Sequence, residues 1–416
     1  MNSASAGLEP LSGLDGTFLN LETLATPIHV GSLHVFEVPA GYQGDFEGSV
    51  RTMMAQRLVP VLRRRLAAMP LHMANPVWLQ GDVDLSRHIE RIHVPAPGDW
   101  AQLQTVVANL HAELLDRSRP LWMLYVLEGL ASGEKAYYFK IHHAMLDGHA
   151  GAALAAALFD TSANPVPQTD LVPVSTRVDR KPGALSLVAA AFRHDATQYV
   201  KLVRDLPGVV RTLAGLVRSS GGQPAPAATE PGGKPRPVKG GMAFGPRTPL
   251  NVTITRERGF AAATVSLAEI KAMATTCEAT VNDIVLDLCG GALRRYLARL
   301  GALPKKSLIA SMPISLRVKG DTDFHTKATL SLVSLATTIA NPIKRLQAVR
   351  SHATATKAVA KRAKSVIPTD FPSIGVPWLV GTLASLYGRS GFSAAIDGRW
   401  ASRIAVWSQR LFGPRR

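Results

Sequence analysis

The sequence predicts an α/β fold in two successive halves, and three observations carry that expectation. At 416 residues the chain is longer than one compact core usually holds. Short runs with a period of two alternate with stretches of helical period. A segment rich in Pro and Gly, GGQPAPAATEPGGKPRPVKGG, has no periodicity and divides the chain near its middle. Apolar residues make up 46% of the chain and charged residues 19%, a balance that supports a packed core and excludes a disordered polymer.

The elements follow in order. Residues 1–182 hold strand-like runs, HVGSLHVFEV, LWMLYVLEGL and KAYYFKIHH, with a helical stretch LQTVVANLHAELLDRS between the first and second. Residues 183–220 read as two helices with a break at Pro207–Gly208, apolar on one side and basic on the other. The crossing segment completes the stretch 183–249. From Leu250, NVTITRERGFAAATVSL reads as strands. TVNDIVLDLCGGALRRYLARLG then reads as a helix with Val281, Val285, Leu288, Ala292, Tyr296 and Leu300 on one stripe and Gly301 just past its end. Two further strands, KSLIASMPISLRV and ATLSLVSLATT, precede a basic helix, NPIKRLQAVRSHATATKAVAKRAK.

Two cysteines, Cys277 and Cys289, fall in one predicted helical stretch without metal-type spacing, so neither a disulfide framework nor a zinc site is expected. The N-terminus lacks a basic region followed by an apolar run, and no apolar segment is long enough to span a bilayer. The expectation is a cytoplasmic protein. The formal charge of +17 calls for an anionic partner: nucleic acid, a membrane surface, or a substrate bearing phosphates. Nucleic acid is disfavoured, because basic residues interleaved with aromatics and reading-helix signatures are not seen.

One string carries chemistry: IHHAMLDGHAG, residues 141–151. A period of two puts Tyr137, Phe139, Ile141 and His143 on one strand face and Tyr138, Lys140 and His142 on the other. A histidine on an apolar face is commonly a satisfied core residue. Here Asp147 and Gly148 follow at the strand end, before a helix of small residues, and that context favours a positioned base. A neutral histidine there can take a proton from a hydroxyl or amine, a step worth about 100- to 10,000-fold in rate. Asp147 is expected to fix the loop, and Gly148 to supply backbone freedom.

The string from His142 to Gly148 resembles the HHxxxDG motif of the acyltransferase superfamily that includes chloramphenicol acetyltransferase and peptide-synthetase condensation domains. PLSGLDGTFLNLETLATPIHVGSLHVFE near the start, RPLW at Arg119 to Trp122, VNDIVL at Val281 to Leu286 and MPISLR at Met312 to Arg317 narrow the resemblance to the bacterial wax ester synthase/diacylglycerol acyltransferase family. It runs in order from about Leu11 to Ser393.

The resemblance implies two chloramphenicol-acetyltransferase-like halves enclosing a substrate tunnel, and an acyl-CoA donor passing a long-chain acyl group to diacylglycerol or a fatty alcohol. No metal and no cofactor are implied, acyl-CoA being a substrate. His143 is then the general base, His142 its neighbour, and Asp147 a structural carboxylate paired with Arg317. Asn282, with Asp283 beside it, opens a helix whose free N–H groups favour anions, so Asn282 is either an oxyanion or substrate donor or an ordinary first-turn residue. Pro120 and Trp122 open a buried strand, where packing is the usual role of a Trp; the resemblance implies a tunnel wall.

The basic amphipathic stretches from Leu185 to Arg218 and from Lys344 to Lys364 can lie on an anionic membrane or lipid droplet, or be solvated faces. Residues 250–393 form the second half. After Ser393 the resemblance stops, and residues 394–416, with five arginines and two tryptophans, are expected to be an out-of-frame product that leaves the second half incomplete. Two rival expectations remain: a condensation-like enzyme using a carrier-protein thioester, and an inactive paralogue that coats lipid droplets.

Overall fold

A computed structural model describes residues 9–146, 148–160, 182–220, 245–252, 254–315, 328–363 and 372–379. The N-terminal part runs β1 (Glu9–Pro10), α1 (Gly13–Leu21), β2 (His29–Phe36), α2 (Phe46–Gln56), β3 (Arg64–Ala67), β4 (Val77–Gln80), β5 (Ile89–His93), α3 (Trp100–Ala112), β6 (Trp122–Glu128), β7 (Lys135–His142) and α4 (Gly148–Leu158). A long helix, α5 (Ala184–Ser220), follows. The C-terminal part holds α6 (Leu267–Thr276), α7 (Val281–Arg299), β8 (Ile309–Ser315), β9 (Ala328–Ser334) and α8 (Pro342–Ala363).

Local chemistry sets the helix starts. Ser12 caps α1, its hydroxyl accepting from the Asp15 amide. Asp99 and Gln102 form a reciprocal capping box at α3, and Thr280 and Asp283 form one at α7. At the other end of α7, Gly301 has φ of 63°, its N–H reaches Ala298 O, and the Ala302 N–H reaches Leu297 O. That paired closure needs a left-handed residue, which glycine supplies without strain.

The main sheet has the order β2-β7-β6-β5, antiparallel except for the parallel β5–β6 pair. One face packs on α1, α2 and α4 through Leu19, Val50, Met54, Leu154 and Leu158 against Trp122, Phe139 and Ile141. The other receives α3, with Leu103 and Val107 against Tyr125, Leu127 and Tyr138. Both faces of β7 are therefore covered, and every residue from Ala136 to His142 is buried. A small sheet, β1-β4-β3, lies beside it, and β8 pairs with β9 alone among the described residues.

The α/β class is as expected, with three differences in detail. The helix over 184–220 is continuous, because Pro207 removes one amide donor without ending the turns on either side. Residues 254–265 form no strand; Ile254, Phe260 and Val265 are exposed there, and no described strand pairs with them. Cys277 caps α6 and Cys289 lies in α7, so they occupy two helices, both as free thiols.

The stripe on α7 also has an unexpected surrounding. Val285, Leu288 and Tyr296 are 46%, 43% and 51% exposed, while the opposite side packs Leu286, Leu293 and Leu297 on Leu308 and Leu335. Gly290 permits that approach, since a Cβ there would sit 2.6 Å from Leu335 O. The buried Arg345 of α8 donates to both Asp287 oxygens, at 2.7 and 3.4 Å, and locks α7 to α8. The crossing segment 221–243, the junction 316–327 and the tail 394–416 lie outside the described residues.

Candidate active site

Strand β7 delivers the two histidines still attached to the sheet. The His142 N–H donates to Leu121 O, and the His143 N–H donates to Ile28 O, both at 2.9 Å. A turn follows, closed by the Met145 N–H on His142 O, and the buried Ala144, Met145 and Leu146 root it in the core. Gly148 then opens α4. Asp147 and Arg317 lie outside the described residues, and with them the expected pairing.

His142 is fully buried, so it cannot meet a substrate in this arrangement. Its Nδ1 accepts the Ala144 N–H at 3.0 Å, which leaves the ring proton on Nε2. That Nε2 lies 3.3 Å from Glu22 Oε1, the residue that caps α1. His29, directly opposite His142 in the β2–β7 register, brings its Nε2 to 3.0 Å from the same oxygen. Arg117 donates to Glu22 Oε2 at 2.9 Å and to Leu19 O. Burial alone would raise the Glu22 carboxyl; His142, His29 and Arg117 outweigh it and hold the group far below the usual carboxylate range. His142 is pushed down, chiefly by burial, against the pull of Glu22. It is neutral at pH 7.

The polar cluster continues along the same face of β7. Lys140 Nζ is buried and donates to Leu110 O at 2.6 Å and Glu113 O at 2.9 Å, satisfying carbonyls at the end of α3 where a cation is favoured. Burial lowers its pKa to about 8, against the opposing pull of Glu113 and Glu22. Tyr138 Oη lies 2.6 Å from His111 Nδ1. Gly31 makes room for that phenol, since a Cβ would overlap it.

His143 sits differently. Its ring packs on Phe18 at a centroid distance of 4.4 Å, it is half-buried, and its Nδ1 has no partner among the described residues. Adjacent histidines in one chain thus have separate surroundings, one enclosed in a charged network and one at the edge of the apolar core.

Asn282 and Asp283 lie together in the first turn of α7. Asp283 is buried and its Oδ2 accepts the Thr280 N–H and Oγ1–H, at 2.9 and 2.7 Å, so its work is to cap the helix. Asn282 is exposed, and among the described residues its Nδ2 makes only a weak 3.7 Å contact with Met312 Sδ. Trp122 is fully buried, stacks on His88 at 4.4 Å and donates from Nε1 to Leu62 O at 2.8 Å. With Pro120, His88, Arg87 and Arg119 it borders a cavity of about 360 Å³. Trp122 is therefore foremost a packing residue. Among the described residues no group of His, Cys, Asp and Glu is spaced to hold a metal, and no helix is long and apolar enough to cross a membrane.

Glu22, His29 and Arg117 are absent from the residues the sequence singles out. Their signal is faint: a glutamate closing the apolar run TFLNLE, and a histidine whose register against His142 appears only once β2 and β7 pair.

Comparison with known proteins supplies the family. A model of the wax ester synthase/diacylglycerol acyltransferase catalytic domain matches residues 11–285, more than half of the chain. A relative from Mycobacterium tuberculosis (strain ATCC 25618 / H37Rv), named "Putative diacyglycerol O-acyltransferase Rv3740c", is 34% identical over 354 residues, covering 84% of this chain and 74% of its own. Another from that strain, "Putative diacyglycerol O-acyltransferase Rv1760", is 30% identical over 384 residues, covering 90% and 72%. Among solved structures, the wax ester synthase/diacylglycerol acyltransferase from Marinobacter aquaeolei VT8 superposes with a TM-score of 0.58 at 25% identity, covering 95% of this chain and 80% of that one. With the HHxxxDG string held at the end of β7 and matches of this extent, the chain belongs to the wax ester synthase/diacylglycerol acyltransferase family of acyltransferases.

Proposed function

We propose that the protein transfers a long-chain acyl group from acyl-CoA to the hydroxyl of diacylglycerol or a long-chain alcohol, with His143 as general base. The observation that carries the reading is the contrast between the two histidines: His142 is fully buried with its Nδ1 bonded to the Ala144 N–H, while the His143 ring is half-buried and its Nδ1 has no partner among the described residues. The family match and the names of the two mycobacterial relatives support this choice of substrates. His143 takes the hydroxyl proton as the oxygen bonds to the thioester carbonyl carbon. The tetrahedral oxyanion collapses, the carbon–sulfur bond breaks, and the leaving thiolate recovers the proton from the imidazolium. A thioester is already activated, so a base and an oxyanion donor suffice. Asn282 is the proposed donor, because a thioether is a weak acceptor and its amide can exchange Met312 for a developing negative charge.

The same reading places the enzyme peripherally at anionic lipid, where both substrates collect. Leu185, Phe192, Tyr199 and Val203 form an exposed stripe along α5, Leu185 being 87% exposed, with the exposed Arg193 and Lys201 on the same helix.

The test is free-thiol release from palmitoyl-CoA, with hexadecanol or diacylglycerol as acceptor and His143→Ala as control. Acceptor-dependent release that falls at least about 100-fold in the variant is expected. No release from palmitoyl-CoA, with release from a carrier-bound thioester, would replace the donor. Equal rates in both proteins would sink the base assignment.

A further inference from the structure

We propose that Glu22 is the positioning residue of the histidine motif, fixing the backbone on both sides of His143 from beneath the sheet. The proposal rests on the reading of His143 as the base.

Two hydrogen bonds define the peptide planes that flank His143. On its N-terminal side the His143 N–H is held by Ile28 O, and on its C-terminal side the Ala144 N–H is held by His142 Nδ1. Both anchors lead to one carboxylate. Glu22 Oε1 accepts the Ile28 N–H at 3.2 Å and faces His142 Nε2 at 3.3 Å. Glu22 is itself pinned by Arg117 and by His29, and its side chain is 1% exposed.

The His142 contact acts through a tautomer. The Ala144 N–H requires the Nδ1 lone pair, so the ring proton resides on Nε2, where the Glu22 carboxylate 3.3 Å away favours it as a close charge without an aligned hydrogen bond. Without that charge the proton is free to move to Nδ1, and two N–H groups would then face each other across 3.0 Å. The turn would open and carry His143 out of line. A misplacement of about 1 Å at a reacting group costs about 100-fold in rate, so a residue that never touches substrate controls turnover.

The experiment measures kcat and KM for palmitoyl-CoA in Glu22→Gln, His142→Asn and His142→Gln, with His143→Ala alongside, and reads the histidine tautomers by ¹⁵N NMR. Glu22→Gln is expected to lower kcat per folded molecule by about 100-fold with little change in KM, and to move the His142 proton from Nε2 toward Nδ1. If that variant does not fold, the His142 pair decides. The Asn amide oxygen stands where Nδ1 stands and can still accept from Ala144, whereas the longer Gln cannot. His142→Asn should therefore exceed His142→Gln by about tenfold, the worth of one hydrogen bond. Wild-type kcat in Glu22→Gln, an unchanged His142 tautomer, or equal rates in the His142 pair would overturn the proposal. If His143→Ala is inactive in that case, the base assignment survives and only the role of Glu22 is lost. If His143→Ala turns over normally, both fall.

Discussion

The two sheet regions bury their strands in different ways. β7 is covered on both faces, and every residue from Ala136 to His142 is buried. β9 alternates: Val333, like Leu335 just past its end, is buried against the helices, while Leu332 is 40% exposed. A strand with two covered faces can carry polar side chains wholly removed from water, provided that each finds a partner. β7 does so with Tyr138, Lys140 and His142. The β8–β9 pair has one packed side and offers no such enclosure among the described residues, and α7 leaves one of its two apolar sides open. The chemistry-bearing network lies where the packing is two-sided.

Three measurements would break or sharpen that contrast. The largest effect is expected at Trp122, where truncation to Ala empties a fully enclosed volume and strands Leu62 O. Denaturant unfolding should show a loss of about 3–5 kcal/mol, and a loss near zero would mean that the face is not closed. The second is acid sensitivity. Burial lowers the pKa of His34, His88, His111 and His142 around the main sheet and, among the described residues of the C-terminal part, that of His352.

His111 shifts from 6.5 to about 4, through burial first and then through His29, Lys140 and Arg258. Below pH 6.5 the unfolded chain binds protons that the folded chain refuses, so stability falls as pH drops from 6.5 toward 4 and this contribution then levels off. Hydrogen exchange at pH 7 and pH 5 should show loosening around α3 and β7 before α7 and α8, with His111→Asn reducing the slope. The smallest effect belongs to Leu288→Gln on the open side of α7, within about 0.5 kcal/mol. A loss several times larger would show that this side is covered in solution and that the contrast is overstated.

Much of the fold was legible because local signals are strong where a strand or helix carries its own punctuation. The helical run from Leu103 marks α3, although the Asp99–Gln102 box starts it three residues earlier and it ends at Ala112, short of Ser118; Gly301 closes α7, and the alternation in KAYYFKIHH marks β7 and separates the faces of His142 and His143. The stripe on α7 was legible as a stripe, but periodicity reports which residues share a side and not whether anything packs there. Residues 254–265 have the composition of strands but no partner strand among the described residues, and pairing is a tertiary fact. The histidine motif stood out as a string. Its support did not, because Glu22, His29 and Arg117 reach it across separations of 25 to 120 residues in the chain and only once β2 and β7 pair.

A clasp ties the C-terminal part to the N-terminal one. Asp195 of α5, itself buried, accepts the Ser373 and Ile374 amides at 2.8 Å each, while the Gly375 N–H reaches Met73 O and Trp378 Nε1 reaches Leu71 O. These bonds join positions that the chain connects only through the crossing segment. Covalent continuity across that segment is therefore not what keeps the two parts together: a protease cut between residues 221 and 243 would yield two polypeptides on a denaturing gel and one particle in a native separation.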